Sequence, residues 1–172
     1  MVVLKRNRRY GDNWNTAVDL LLGGWQVTGI HALQSGLGLT ATLGGSSVLN
    51  LGGERRARPN LVSDPVLSES GRTLQRWFNT AAFAAFSPAP QAFGSAGVGI
   101  MRGPGSINFD FTFAKNFNLT ERRYFQFRTE LFNAFNRANF GPPDIRAENS
   151  GFGQILSAGN ARIIQFGLKF YF

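Results

Sequence analysis

The stretch "IIQFGLKFYF" (residues 163–172) closes the chain on an alternating pattern. Ile164, Phe166, Leu168, Phe170 and Phe172 fall on every second position, with Gln165, Gly167, Lys169 and Tyr171 between them. Successive side chains of a strand point to opposite faces, so this is a strand with one apolar and one largely polar face. Chain ends usually fray in water, and a bulky apolar side chain at the terminus is uncommon in a soluble sheet. The question is which solvent the apolar face meets.

Three more segments read as strands. The first is "GWQVTGIHALQ" (residues 24–34), rich in β-formers with imperfect alternation. In "SINFDFTFAKNF" (106–117), Ile107, Phe109, Phe111 and Phe113 oppose Asn108, Asp110 and Thr112. In "RYFQFRTELFNAF" (123–135), Phe125, Phe127, Thr129 and Leu131 oppose Gln126, Arg128 and Glu130. Near-complete two-residue periodicity marks the last three strands. The third also fits an amphipathic helix through Phe127, Leu131, Phe132 and Phe135, but its aromatic content and the short "NLTE" junction (118–121) favour a hairpin.

Composition narrows the function classes. The 172 residues include 21 glycines and 17 phenylalanines but no cysteine, so no disulfide framework or thiolate metal site is available. The single histidine, His31, argues against a His-based metal cluster or a Ser-His-Asp triad. We therefore expect no catalysis, no cofactor and no resident metal. The net charge of +8 fits either a basic patch for nucleic acid or arginines spread over loops and a polar lumen. Lys and Arg cluster densely only in "LKRNRRY" (4–10), so the second is preferred and no nucleic-acid partner is expected. No run approaches the ~18 apolar residues of a membrane helix, but alternating barrel strands average to neutral and escape such a search.

Between the strands the junctions run long, short, long: residues 35–105, the "NLTE" turn, and residues 136–160. Outer-membrane barrels are built this way, with short periplasmic turns and long outer loops. Within the first loop, "SGRTLQRWFNTAAF" from Ser70 predicts a short helix with Leu74, Trp77, Phe78 and Ala81 on one face. Arg72, Arg76, Trp77 and Phe78 form a candidate ligand-contacting group, with simple packing as the alternative. The glycine-rich "GSAGVGIMRGPG" (94–105) lacks phosphate-loop spacing and reads as a flexible loop tip. "NLT" at Asn118 matches a glycosylation acceptor by chance.

Pattern alone does not choose between a soluble sandwich, apolar face inward, and a membrane barrel, apolar face outward. Side-chain size does bear on it, because a face of phenylalanines needs a matching layer and no other segment supplies one. Lipid would supply it. The expected fold is therefore all-β, an antiparallel meander of about four transmembrane strands in an incomplete barrel. Lipid-facing candidates are Phe109, Phe111, Phe125, Phe127, Phe166 and Phe170, and lumen-facing ones Asp110, Arg128, Glu130 and Lys169. A tight turn centred on Leu119 would set Phe111 opposite Phe127, Asp110 opposite Arg128 and Asn108 opposite Glu130. The alternative is a soluble β-sandwich that binds glycan or nucleic acid through its basic loops.

Taken in order, "LLGGWQVTGIHALQSG", "RTLQRWFNTAAF", "GIMRGPGSINFDFTFAKNF", "RYFQFRTELFNAFNRANFG" and "SAGNARIIQFGLKFYF" resemble the C-terminal end of TonB-dependent outer-membrane receptors. The nearest branch looks like the large Oar-like proteins that carry a carboxypeptidase-regulatory-like domain. The resemblance implies an outer-membrane location and energy-driven uptake of a bulky nutrient. It implies as partners outer-membrane lipid, the barrel assembly machinery and, through a plug not recognisable in this sequence, the TonB system. Ile164, Phe166, Leu168, Phe170 and Phe172 are similar to the assembly signal of such barrels. Since the full barrels have about 22 strands, the expectation is a C-terminal piece: outer loop 35–105, hairpin 106–135, outer loop 136–160 and terminal strand 161–172. Met1 is then expected in a periplasmic turn.

Overall fold

A computed structural model describes residues 2–3, 15–43, 57–84, 94–120 and 122–172. Met1, the basic stretch 4–10 and Glu121 of the short junction lie outside the described residues. The chain forms two compact units. One comprises the described residues up to Leu33 with Ile107–Ala138 and Asn160–Phe172, the other those of Gln34–Ser106 and Asn139–Gly159.

The strands of the first unit are β1 (Val2–Val3), β2 (Trp25–Gln34), β7 (Ser106–Asn118), β8 (Tyr124–Phe132) and β9 (Ile163–Tyr171), with helix α1 (Thr16–Leu22) before β2. They form a five-stranded sheet in the order β1-β2-β7-β8-β9. The β1–β2, β7–β8 and β8–β9 pairs are antiparallel. Against β7, the Gly24 carbonyl accepts from Asn116 N–H at 3.0 Å while His31 stacks on Phe109, so β2 also runs antiparallel. The sheet is thus an open antiparallel meander and the fold is all-β. The helical alternative for residues 123–135 gives way to β8, which ends at Phe132.

The register of the central hairpin differs from the expected one. Phe111 lies opposite Leu131, Phe113 opposite Thr129 and Ala114 opposite Arg128. The turn spans Leu119–Arg123, closed by Leu119 N–H to the Arg123 carbonyl at 2.9 Å and held by the Thr120 hydroxyl accepting from Arg123 N–H. This longer turn shifts the pairing by four residues, so Asp110 does not meet Arg128 and Asn108 does not meet Glu130. A cross-strand charge pair contributes only about 0.2–1 kcal/mol, and the charged groups find other partners. Arg128 bonds Glu130 along its own strand at 3.0 Å, and Asp110 accepts from Asn108 Nδ2 and from Asn133 N–H, both at 2.8 Å. A shift by an even number keeps every side chain on its face.

The second unit carries β3 (Gly38–Leu39) paired with β6 (Met101–Arg102), and β4 (Asn60–Leu61) paired with β5 (Phe83–Ala84). The two long connections fold together here around Leu39, Ala41, Phe78, Ala82, Phe83, Ala96 and Met101. Phe78, Phe83 and Phe152 meet edge to face, with centroids 5.1–5.9 Å apart. Two sequence expectations are corrected. Residues 70–81 form no α-helix: 3₁₀ turns occupy Glu69–Gly71 and Thr80–Ala82, and Thr73 and Arg76 exchange backbone hydrogen bonds while Thr73 Oγ1 accepts from Arg76 N–H. Such side-chain-to-backbone bonds compete with a helix ladder. The glycine-rich stretch is no loop tip either, since Ala96 and Met101 are buried and a Cβ on Gly94 would sit 1.8 Å from the Arg58 carbonyl oxygen.

Candidate functional site

The chemistry of the sheet lies in its two faces. On one face β7 presents Phe109, Phe111 and Phe113, β8 presents Phe125, Phe127 and Leu131, and β9 presents Ile164, Phe166, Leu168 and Phe170. The pairing fixes this: Phe125 lies opposite Phe170, Phe127 opposite Leu168 and Leu131 opposite Ile164. Rings touch along the face, Phe125 to Phe170 at 4.7 Å and Phe109 to Phe135 at 4.9 Å. Phe166 is 66% exposed, Leu168 69% and Phe172 92%. Along β9 the face is exposed, along β7 and β8 its phenylalanines are half-buried, and at Lys115 it is covered by the end of α1.

The opposite face is polar. Glu130 lies opposite Gln165 and Thr112, and Gln126 lies opposite Lys169 and Asn116. Gln126 Nε2 donates to Asn116 Oδ1 at 3.0 Å. Gln26, Thr28, Thr112, Ala114, Gln126 and Arg128 surround a hollow of about 130 Å³. Asp110, Arg128, Glu130 and Lys169, the lumen candidates, share this face by strand alternation. Tyr124 and Tyr171 stack on it at 4.4 Å.

The end of β8 carries residues that the sequence reading overlooked. Asn133 and Asn136 both adopt positive φ, 49° and 52°, a conformation asparagine tolerates better than most residues. Ala134 N–H donates to the Phe109 carbonyl at 2.8 Å. Buried Asn133 donates from Nδ2 to the carbonyls of Arg137 and Asn160 and accepts from Arg137 N–H, while Asn136 Oδ1 accepts from Arg162 N–H. These bonds fix where β9 begins relative to β8. The paired asparagines in "FNAFNRAN" were the available signal.

Most of the candidate ligand group is engaged in packing. Phe78 is 2% exposed and fills the core, which removes it as a ligand contact. Trp77 Nε1 donates to the Arg102 carbonyl at 2.8 Å, and the Arg72 guanidinium lies 5.6 Å from the Trp77 ring centre while Nε donates to the Leu67 carbonyl. Arg76 is exposed. Apolar burial and backbone carbonyls thus hold three of the four in the packing of this unit.

Within the second unit Asp144 anchors a tight loop. One carboxylate oxygen accepts from Arg146 N–H at 2.9 Å and the other from Asn149 Nδ2 at 2.7 Å. Partial burial alone would raise its pKa, but these two bonds and the nearby Arg146 charge outweigh that and hold it below 3.8. A depressed carboxylate stabilises the fold above the unfolded pKa, and that contribution is lost as pH falls through the folded value. The loop held by Asp144 should therefore loosen modestly as pH falls below about 4, read as a pH step in the NMR signal of the Arg146 amide. Asp144→Asn should flatten that pH step, and an unchanged step would assign it to other carboxylates.

The comparison with protein families decides the class. Residues 3–165 match the model of an outer membrane beta barrel domain. The chain belongs to that family. As an outer membrane beta barrel domain it is located in the outer membrane, and the soluble-sandwich alternative falls. The sheet of this domain is open, with β1 and β9 at its edges. Among the described residues no helix is long and apolar enough to cross a membrane, which leaves barrel strands unaffected. No characterised protein and no solved structure matches the chain in the corresponding comparisons.

Proposed function

We propose that this barrel domain forms part of the wall of a TonB-dependent receptor that takes up a bulky nutrient, with no catalytic role. The carrying observation is the one-sided sheet: an apolar, aromatic face, exposed along β9 and half-buried along β7 and β8, suited to hydrocarbon, and a polar face suited to a wet lumen. The two long connections leave the strand ends opposite the short β7–β8 turn, as outer loops do over periplasmic turns. The five strands of the main sheet are fewer than the about eight of the smallest membrane barrels, so the wall needs further strands to close. The five ordered motifs that resemble Oar-like receptors support the finer assignment. Outer-membrane lipid, the barrel assembly machinery and the TonB system are the partners it implies.

The experiment is disruption of the coding region followed by growth on a panel of large nutrients: oligosaccharides, peptides and iron chelates. Loss of growth on one of them, reproduced in the parent when the TonB system is inactivated, supports the reading. A disrupted strain that matches the parent on every TonB-dependent nutrient overturns it.

A further inference from the structure

Lys115 belongs to the same odd-numbered row of β7 as Phe109, Phe111 and Phe113, so its side chain leaves the sheet on the aromatic face. A charge exposed to hydrocarbon there would be costly. The side chain is instead 3% exposed, with its ammonium donating to the carbonyls of Gly23 and Leu21. It lies 5.5 Å from the Trp25 ring centre and 5.6 Å from that of Phe117. Trp25 Nε1 also donates to the Leu21 carbonyl, at 2.9 Å. Two backbone carbonyls at the C-terminal end of α1, a place where helices usually rely on water, are thereby satisfied by side chains.

Gly24 makes the junction possible. Its φ is +70°, and a Cβ would sit 2.7 Å from the Asn116 carbonyl oxygen. The helix end is thus pressed against the aromatic side of β7, within four residues of the β7–β8 turn, while Leu21 is 70% exposed and Leu22 52%. Nothing among the described residues covers these leucines. A helix end whose carbonyls need no water suits a low-dielectric boundary, and Trp and Lys are both among the side chains that anchor at membrane interfaces.

We infer that α1 lies in the lipid–water boundary at the periplasmic end of the sheet, with Leu21 and Leu22 in the acyl chains and Lys115 pinning it. The occupant of this surface is the bilayer itself. The inference rests on the reading that the aromatic face meets lipid, and the test separates the two. Because the chain has no cysteine, single nitroxide labels can be placed at Leu21→Cys, Leu168→Cys and Gln126→Cys in the full chain in outer membranes. Power saturation with oxygen and a nickel chelate then reads depth. The Leu168 label should favour oxygen, the Gln126 label nickel, and the Leu21 label should fall between them. Lys115→Met should move the Leu21 label towards nickel and raise its mobility, with Leu168 unmoved, and Lys115→Arg should retain the parent behaviour. A Leu21 label as nickel-accessible as Gln126, with Leu168 still oxygen-favoured, overturns the inference alone. Nickel access at both Leu21 and Leu168 overturns the lipid reading with it. A Leu21 label that ignores Lys115→Met removes the pin.

Discussion

Leu168→Arg is expected to cut the fraction of chain inserted in the outer membrane between about 30-fold and several hundred-fold. Leu168 sits mid-row on the aromatic face, opposite Phe127 and 69% exposed. An arginine facing hydrocarbon near the bilayer midplane costs about 2–4 kcal/mol, and about 1.4 kcal/mol is a factor of ten. Gln165→Arg, three residues away on the polar face opposite Glu130, should change insertion little. Density-gradient fractionation with protease protection reads both variants. Equal insertion of the two would mean that the aromatic face does not meet lipid.

The second large effect belongs to the other unit. Phe78→Ala removes the central ring of the Phe78–Phe83–Phe152 cluster, and truncating a buried phenylalanine costs about 3–5 kcal/mol. Limited proteolysis should then cut within residues 57–84 and 139–159, which pack in that unit, while the β7–β9 strands stay protected. Leu74→Ala, at a 41% exposed position nearby in sequence, should leave the pattern unaltered. If Phe78→Ala matched Leu74→Ala, the long connections would not share a folded core.

Strand identity was legible because it is local. The alternation at Ile107–Phe113, Phe125–Leu131 and Ile164–Phe172 requires only that successive side chains point oppositely. It placed Phe109, Phe111, Phe125, Phe127, Phe166 and Phe170 on one face, and no register shift by an even number could undo that. The register itself was not legible. Charge complementarity between Asp110 and Arg128 was too weak a guide against a turn closed at Leu119 and Arg123 and a β8 end tied down by Asn133. Nor was the character of the long connections, whose glycines and arginines looked like those of a loose loop. Their core pairs residues far apart in sequence, Phe78 with Phe152 and Leu39 with Met101, and no periodicity reports such contacts.

By itself, then, the sequence determined the all-β class, the two-faced strands and the long-short-long connections, because each follows from the order of neighbouring residues. The hairpin register, the burial of Phe78 and the Lys115 hydrogen bonds to the end of α1 became visible only in the folded chain. Those depend on contacts between distant residues, such as Lys115 with Gly23, whose free energy is set by the geometry of the folded chain.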